Sequence, residues 1–111
     1  MTTKLPLDIN DHAIPALRLK KESAHTVSAG AASARNTTAF DTNTRIISLY
    51  ATVPVFINFG DESVTADTAD HYFPAGIYYD MAIGGDGTGH YTHLAVLRAG
   101  PDGTVYISEK E

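Results

Sequence analysis

Arg45-Ile-Ile-Ser-Leu-Tyr-Ala51, a break at Thr52-Val-Pro54, then Val55-Phe-Ile-Asn-Phe59: this stretch decides the fold. Both runs have strand length and are rich in β-branched and aromatic residues, which fit a pleated, half-buried surface. In the second run Val55, Ile57 and Phe59 fall on one face by the two-residue period of a strand. The break suits a tight hairpin. Pro54 would then sit at an edge or a first position, where its missing N–H removes no ladder bond.

Toward the C-terminus the same signals recur. Gly60-Asp61 closes the second run, and residues 61–70 form a polar, acidic loop. His71-Tyr-Phe73 reads as a short strand and Pro74-Ala-Gly76 as a turn. Ile77, Tyr79, Met81 and Ile83 alternate with Tyr78, Asp80 and Ala82, which predicts a strand with one strongly apolar face. A glycine-rich turn, Gly84–Gly89, leads to a strand at Thr92–Arg98. The turn Ala99-Gly-Pro-Asp-Gly103 leads to a last strand at Thr104–Ser108, and Glu109-Lys-Glu111 makes a polar end.

Toward the N-terminus the signal weakens. Residues 23–40 are small and polar, with a strand at His25–Ala29 and no periodic apolar face that a helix could bury. Residues 1–22 scatter Leu5, Leu7, Ile9, Ile14, Leu17 and Leu19 among Pro6, Pro15, Asn10 and Asp11. They predict an extended arm, with at most one short strand near Ala16–Lys20, whose apolar residues pack on the chain's own body or on a neighbour. Regular short strands with turns between them and no helix of useful length predict an all-β fold, a β-sandwich or jelly roll. The expected organisation is an arm over residues 1–22 and one domain over 23–111.

Composition bounds the function. The chain has 111 residues, 43% of them hydrophobic and 19% charged, which fits one globular domain. It has no cysteine, which excludes disulfides, thiolate catalysis and cysteine-based zinc sites. Residues 1–45 carry six basic against four acidic side chains, whereas residues 46–111 carry two against nine. An acidic body repels phosphate backbones, so nucleic acid is not an expected partner. No run of apolar residues is long enough to span a membrane, and the N-terminus lacks the apolar core of a signal peptide, so a soluble protein made in the cytoplasm is expected. Arg18, Lys20 and Lys21 form a short basic segment suited to an acidic partner surface.

Motifs for chemistry are weak. Gly84–Gly89 has neither the lysine nor the following helix of a phosphate-binding loop. His90 and His93 are spaced so that, on a strand, they point to opposite faces and cannot easily share a metal. No Gly-x-Ser-x-Gly elbow occurs. Neither a catalytic residue nor a cofactor is expected. Tyr78 and Tyr79 carry more information. As strand neighbours only one of them can face the core, and the other must meet solvent or a partner.

Several segments taken in order resemble small virion proteins of tailed phages and prophages. They are Arg35-Asn-Thr-Thr-Ala-Phe40, Thr44-Arg-Ile-Ile-Ser-Leu-Tyr-Ala-Thr52, Val55-Phe-Ile-Asn-Phe-Gly60, Phe73-Pro-Ala-Gly-Ile77, Leu94-Ala-Val-Leu-Arg98 and Gly103-Thr-Val-Tyr-Ile-Ser-Glu109. The resemblance covers roughly residues 16–109 and departs at Gly84–Tyr91, where this loop is richer in glycine. It implies a β-sandwich or jelly roll acting as a capsid decoration (cement) protein, or another minor component of the virion. The implied partners are the major capsid protein or other virion proteins and further copies of the chain, on a particle assembled in a bacterial host. The expected partner-binding residues are Leu5, Leu7, Ile9, Ile14, Leu17, Arg18, Leu19, Lys20 and Lys21 in the arm, with Tyr78 and Tyr79 in the body. The alternatives are a head–tail or fibre-associated component, a sugar- or small-ligand-binding module using Tyr78, Tyr79 and the Gly84–Tyr91 loop, and a metal-dependent cupin-like enzyme using the histidines.

Overall fold

The computed structural model describes residue 10, residues 17–84 and residues 89–111. Every regular element among them is a strand: β1 (Leu19–Ala29), β2 (Ala34–Arg35), β3 (Ile46–Ala51), β4 (Val55–Gly60), β5 (His71–Phe73), β6 (Tyr78–Ala82), β7 (His93–Arg98) and β8 (Gly103–Lys110). They build two antiparallel four-stranded sheets, ordered β1-β8-β3-β6 and β2-β7-β4-β5. The pairings nest. β1 pairs with β8, β2 with β7, β3 with β6 and β4 with β5, so the chain doubles back as one long hairpin. Rolling that hairpin adds the β3–β8 and β4–β7 pairings. This is the jelly-roll topology, in which both sheets bury one face against the other.

Alternation along the strands fills the core. Ile47, Leu49 and Ala51 of β3 and Val105 and Ile107 of β8 point inward from the first sheet. Val55 and Ile57 of β4 and Leu94 and Val96 of β7 meet them from the second. Burying each of the larger side chains stabilises the fold by about 1.5–3 kcal/mol. Phe40 and Ile83, contributed by links between sheets, complete the cluster. Phe59, the third member of its expected apolar face, is half-buried and stacks on Tyr91 with centroids 5.5 Å apart.

Three expectations change. Thr52–Pro54 is a crossover between sheets and makes no hairpin, because β3 and β4 belong to different sheets. Its backbone is held by bonds from Thr52 N–H to Thr104 O and from Ala99 N–H to Pro54 O. The expected arm–body boundary after residue 22 falls inside β1. Leu19 already pairs with Lys110, and Arg18 and Glu111 exchange two backbone bonds. Between Leu19 and Ala24 the register slips, and Glu22 takes φ 61°, a bulge that hides the strand from a two-residue periodicity. Finally, Glu109 is no part of a polar tail, since it points inward from β8 and is buried.

Candidate functional site

The N-terminal candidates begin where β1 leaves the sheet. Leu17 and Leu19 are exposed, at 44% and 61%, and Lys21 is exposed beside them. Arg18 lies 3.5 Å from Glu111, and Lys20 Nζ is 2.9 Å from Asp41 Oδ2, so both cations are engaged within the chain. The hydrogen bond to Asp41 raises the pKa of Lys20. Leu17, Lys20, Ile46 and Lys110 help to line a shallow cleft of about 240 Å³ at this end. Leu5, Leu7, Ile9 and Ile14 lie outside the described residues.

Tyr78 and Tyr79 are both exposed, at 57% and 56%, although one was expected in the core. They sit on β6, an edge strand of the first sheet. Tyr79 pairs with the buried Leu49 and so lies on the inner face. The edge strand of the opposite sheet, β5, is three residues long and leaves it uncovered. Ile77 is exposed and Met81 half-buried for the same reason, so only Ile83 of the expected apolar face is fully interior. Phe73, Pro74, Ile77, Tyr79 and Met81 form a largely apolar lip at this edge.

Tyr78 belongs to the outer face, where register creates a pattern invisible in the sequence. It pairs with Tyr50 of β3, and Tyr50 pairs with Tyr106 of β8. The three tyrosines form an exposed row across three strands. A row of small or polar residues, Asp80, Ser48 and Ser108, runs beside it. Lys110 Nζ closes one end, 2.8 Å from Asp80 Oδ1 and 5.1 Å from the centre of the Tyr78 ring. The hydrogen bond to Asp80 raises the pKa of Lys110. Ser48 Oγ is buried in this face without a hydrogen-bond partner. Tyr50 and Tyr106 are the residues that sequence reading missed. Their signal is a cross-strand register, which no local pattern carries.

The polar groups inside the sandwich are occupied structurally. Glu109 Oε2 accepts a bond from His25 Nε2–H at 2.7 Å. Its Oε1 accepts from Thr44 Oγ1 at 2.6 Å and from the Asp41 N–H at 2.9 Å. Burial pushes this carboxyl up, but the bonds from Thr44, His25 and Asp41 outweigh burial and hold it below the ordinary carboxylate range. The trio resembles a hydrolytic relay in composition only. In such a relay the imidazole bridges acid and hydroxyl. Here the carboxylate is the bridge, and Thr44 donates to it from a buried position, so nothing activates the hydroxyl.

The other described histidines are dispersed. His90 Nε2–H donates to Thr44 O at 2.8 Å, His93 bonds Thr92 Oγ1, and His71 is exposed on β5. Among the described residues no group of three His, Cys, Asp or Glu side chains is placed to hold a metal ion. No helix among them is long and apolar enough to cross a membrane. Gly84 and Gly89–Tyr91 are the described part of the glycine-rich loop, and residues 85–88 lie outside it. Comparison of the chain with family models, with curated proteins and with solved structures gives no match in any of the three.

Proposed function

We propose that the chain is a non-enzymatic structural protein of a tailed-phage virion, a decoration protein that binds neighbouring capsid subunits and stabilises the particle. The observation that carries this reading is where the chemistry lies. Apolar and aromatic side chains are presented outward, in the Tyr78–Tyr50–Tyr106 row, the lip beside Tyr79 and the exposed Leu17 and Leu19. The buried Asn36, Thr44 and Glu109 bond to the chain itself. Such a molecule works by covering surface, and tyrosines are well suited to interfaces. The resemblance to small virion proteins supports the same reading. The fold alone does not, because jelly rolls serve many functions.

Mass spectrometry of purified particles from the phage that encodes the chain tests it. Hundreds of copies per particle are expected for a shell protein. A dozen or fewer would mean a vertex or tail part, and none would end the proposal. The arm is the expected docking element. Removing residues 1–16 should abolish particle binding while the remaining chain keeps a cooperative unfolding transition, since residues 17–111 contain all eight strands found among the described residues. Retained binding would remove residues 1–16 from the account and leave docking to Leu17, Leu19 and the body. The tyrosine row beside Asp80, Ser48 and Ser108 favours one alternative, a sugar-binding face. Glycan-array binding lost in Tyr50→Ala and Tyr106→Ala would support that reading instead.

A further inference from the structure

A sheet edge exposes main-chain N–H and C=O groups, and folded proteins blunt such edges. The described structure has four edges, on β1, β6, β2 and β5. Two are short: β2 has two residues and β5 has three. The third, β1, carries Lys20, Lys21 and Glu22 and a bulge at Glu22. β6 has none of these devices. It is five residues long with no proline, and its single charge, Asp80, is neutralised by Lys110.

The backbone phase of β6 is fixed by its inner neighbour. Ile83 N–H donates to Arg45 O, and the register continues by twos through Met81–Ile47 and Tyr79–Leu49. An antiparallel ladder alternates, so Tyr78, Asp80 and Ala82 direct their N–H and C=O groups outward. We propose that β6 is the seam of a two-fold homodimer, in which the β6 strands of two copies pair antiparallel with Tyr79 opposite Tyr79 and the two first sheets become one continuous sheet.

Self-complementarity selects both the occupant and the register. With Tyr79 on the axis, Tyr78 faces Asp80 of the second copy. Those two pairs use outward-directed groups, giving four inter-chain main-chain bonds. Tyr79 against Tyr79 is then a non-hydrogen-bonded pair, the closer kind for side chains. Ile77 falls opposite Met81 of the second copy, which joins the two apolar lips over residues that one chain leaves uncovered. Charge agrees. Lys110 lies over the Tyr78 ring, so each Asp80 comes beside Lys110 of the second copy and each ammonium sits between two carboxylates. Centring on Asp80 would instead oppose two carboxylates directly. The seam rests on this edge alone, so its outcome is separate from that of the virion reading.

The test is sedimentation velocity on the full chain and on Tyr79→Lys and Tyr79→Glu. Tyr79 is more than half exposed in one chain, so both variants should keep the wild-type circular dichroism and a cooperative melting transition, lowered only by the concentration-dependent stability that pairing lends the dimer. The wild type is expected to be a dimer. Each variant alone should be monomeric, because like charges meet on the axis, and an equimolar mixture should regain the dimer. A wild type that stays monomeric at millimolar concentration would overturn the seam. So would a dimer that Tyr79→Lys leaves intact, an assembly without two-fold symmetry, or a mixture that fails to associate.

Discussion

Replacing Glu109 measures how the end of the sandwich is held. The carboxylate accepts three bonds, from His25, Thr44 and the Asp41 N–H, and it is 3% exposed. Glu109→Ala strands three donors. At roughly 1 kcal/mol or more for each unsatisfied group, the loss is about 3–5 kcal/mol. A domain of this size has about 5–15 kcal/mol in total. Its unfolding entropy near the midpoint is about 0.23 kcal/mol/K, so the Ala variant should melt about 13–22 °C lower. Glu109→Gln should cost far less. Its oxygen can still accept from Thr44 and Asp41, and its amide can donate to His25 after a change of tautomer. The two variants also differ in pH dependence. Because the folded carboxyl titrates below its ordinary value, its stabilisation is complete above about pH 4.3 and is lost as pH falls through the lower folded value. The gap between wild type and Glu109→Gln should therefore close on acidification. Urea unfolding across pH reads all of this. A loss under about 1 kcal/mol for Glu109→Ala, or a gap to Glu109→Gln that persists in acid, would refute the network as described.

Leu49→Ala removes a fully buried side chain from the centre of β3 and should cost about 2–5 kcal/mol in denaturant unfolding. Gly103→Ala would place a Cβ against Val53 Cγ2 and 2.7 Å from Thr52 Oγ1. The stiff Val53 cannot easily yield, so a loss of about 1–3 kcal/mol is expected, and a neutral result would mean that the crossover shifts freely. Ser48→Ala removes a hydroxyl that is buried without a partner, so the melting temperature should hold or rise, by up to about 1 kcal/mol of added stability. A clear loss would reveal a bond that the hydroxyl makes.

The sequence states its strands well and their partners poorly. The runs at 45–51, 55–59, 92–98 and 104–108 correspond to β3, β4, β7 and β8, because alternation and β-branched content are local properties. β1 was half legible. His25–Ala29 alternates, but the bulge at Glu22 breaks the phase of the residues before it. The crossover at Thr52–Pro54 looks like a hairpin because a short polar break with proline serves either purpose. Only the pairing of β3 with β6 and β8 decides between them. The candidate surface shows the same division. Tyr78 and Tyr79 stand out as neighbours, whereas Tyr50 and Tyr106 become partners of Tyr78 only through register. Glu109 gave no local sign of burial. Its partners are 68, 65 and 84 residues away along the chain.

The two tyrosines of β6 show why exposure here is a matter of topology. Alternation alone would bury Tyr79 opposite Leu49, and on an inner strand it would do so. Nesting the hairpin places β6 at the edge of its sheet and sets the three-residue β5 at the edge of the other. A five-residue strand above a three-residue one must overhang. The overhang turns a core face into a lip and leaves Ile77 and Tyr79 exposed on it. Extending β5 to cover them would remove that surface from any partner, whether a second copy or a capsid subunit. The mismatch in strand length is thus the step that converts an ordinary sandwich pattern into a binding edge.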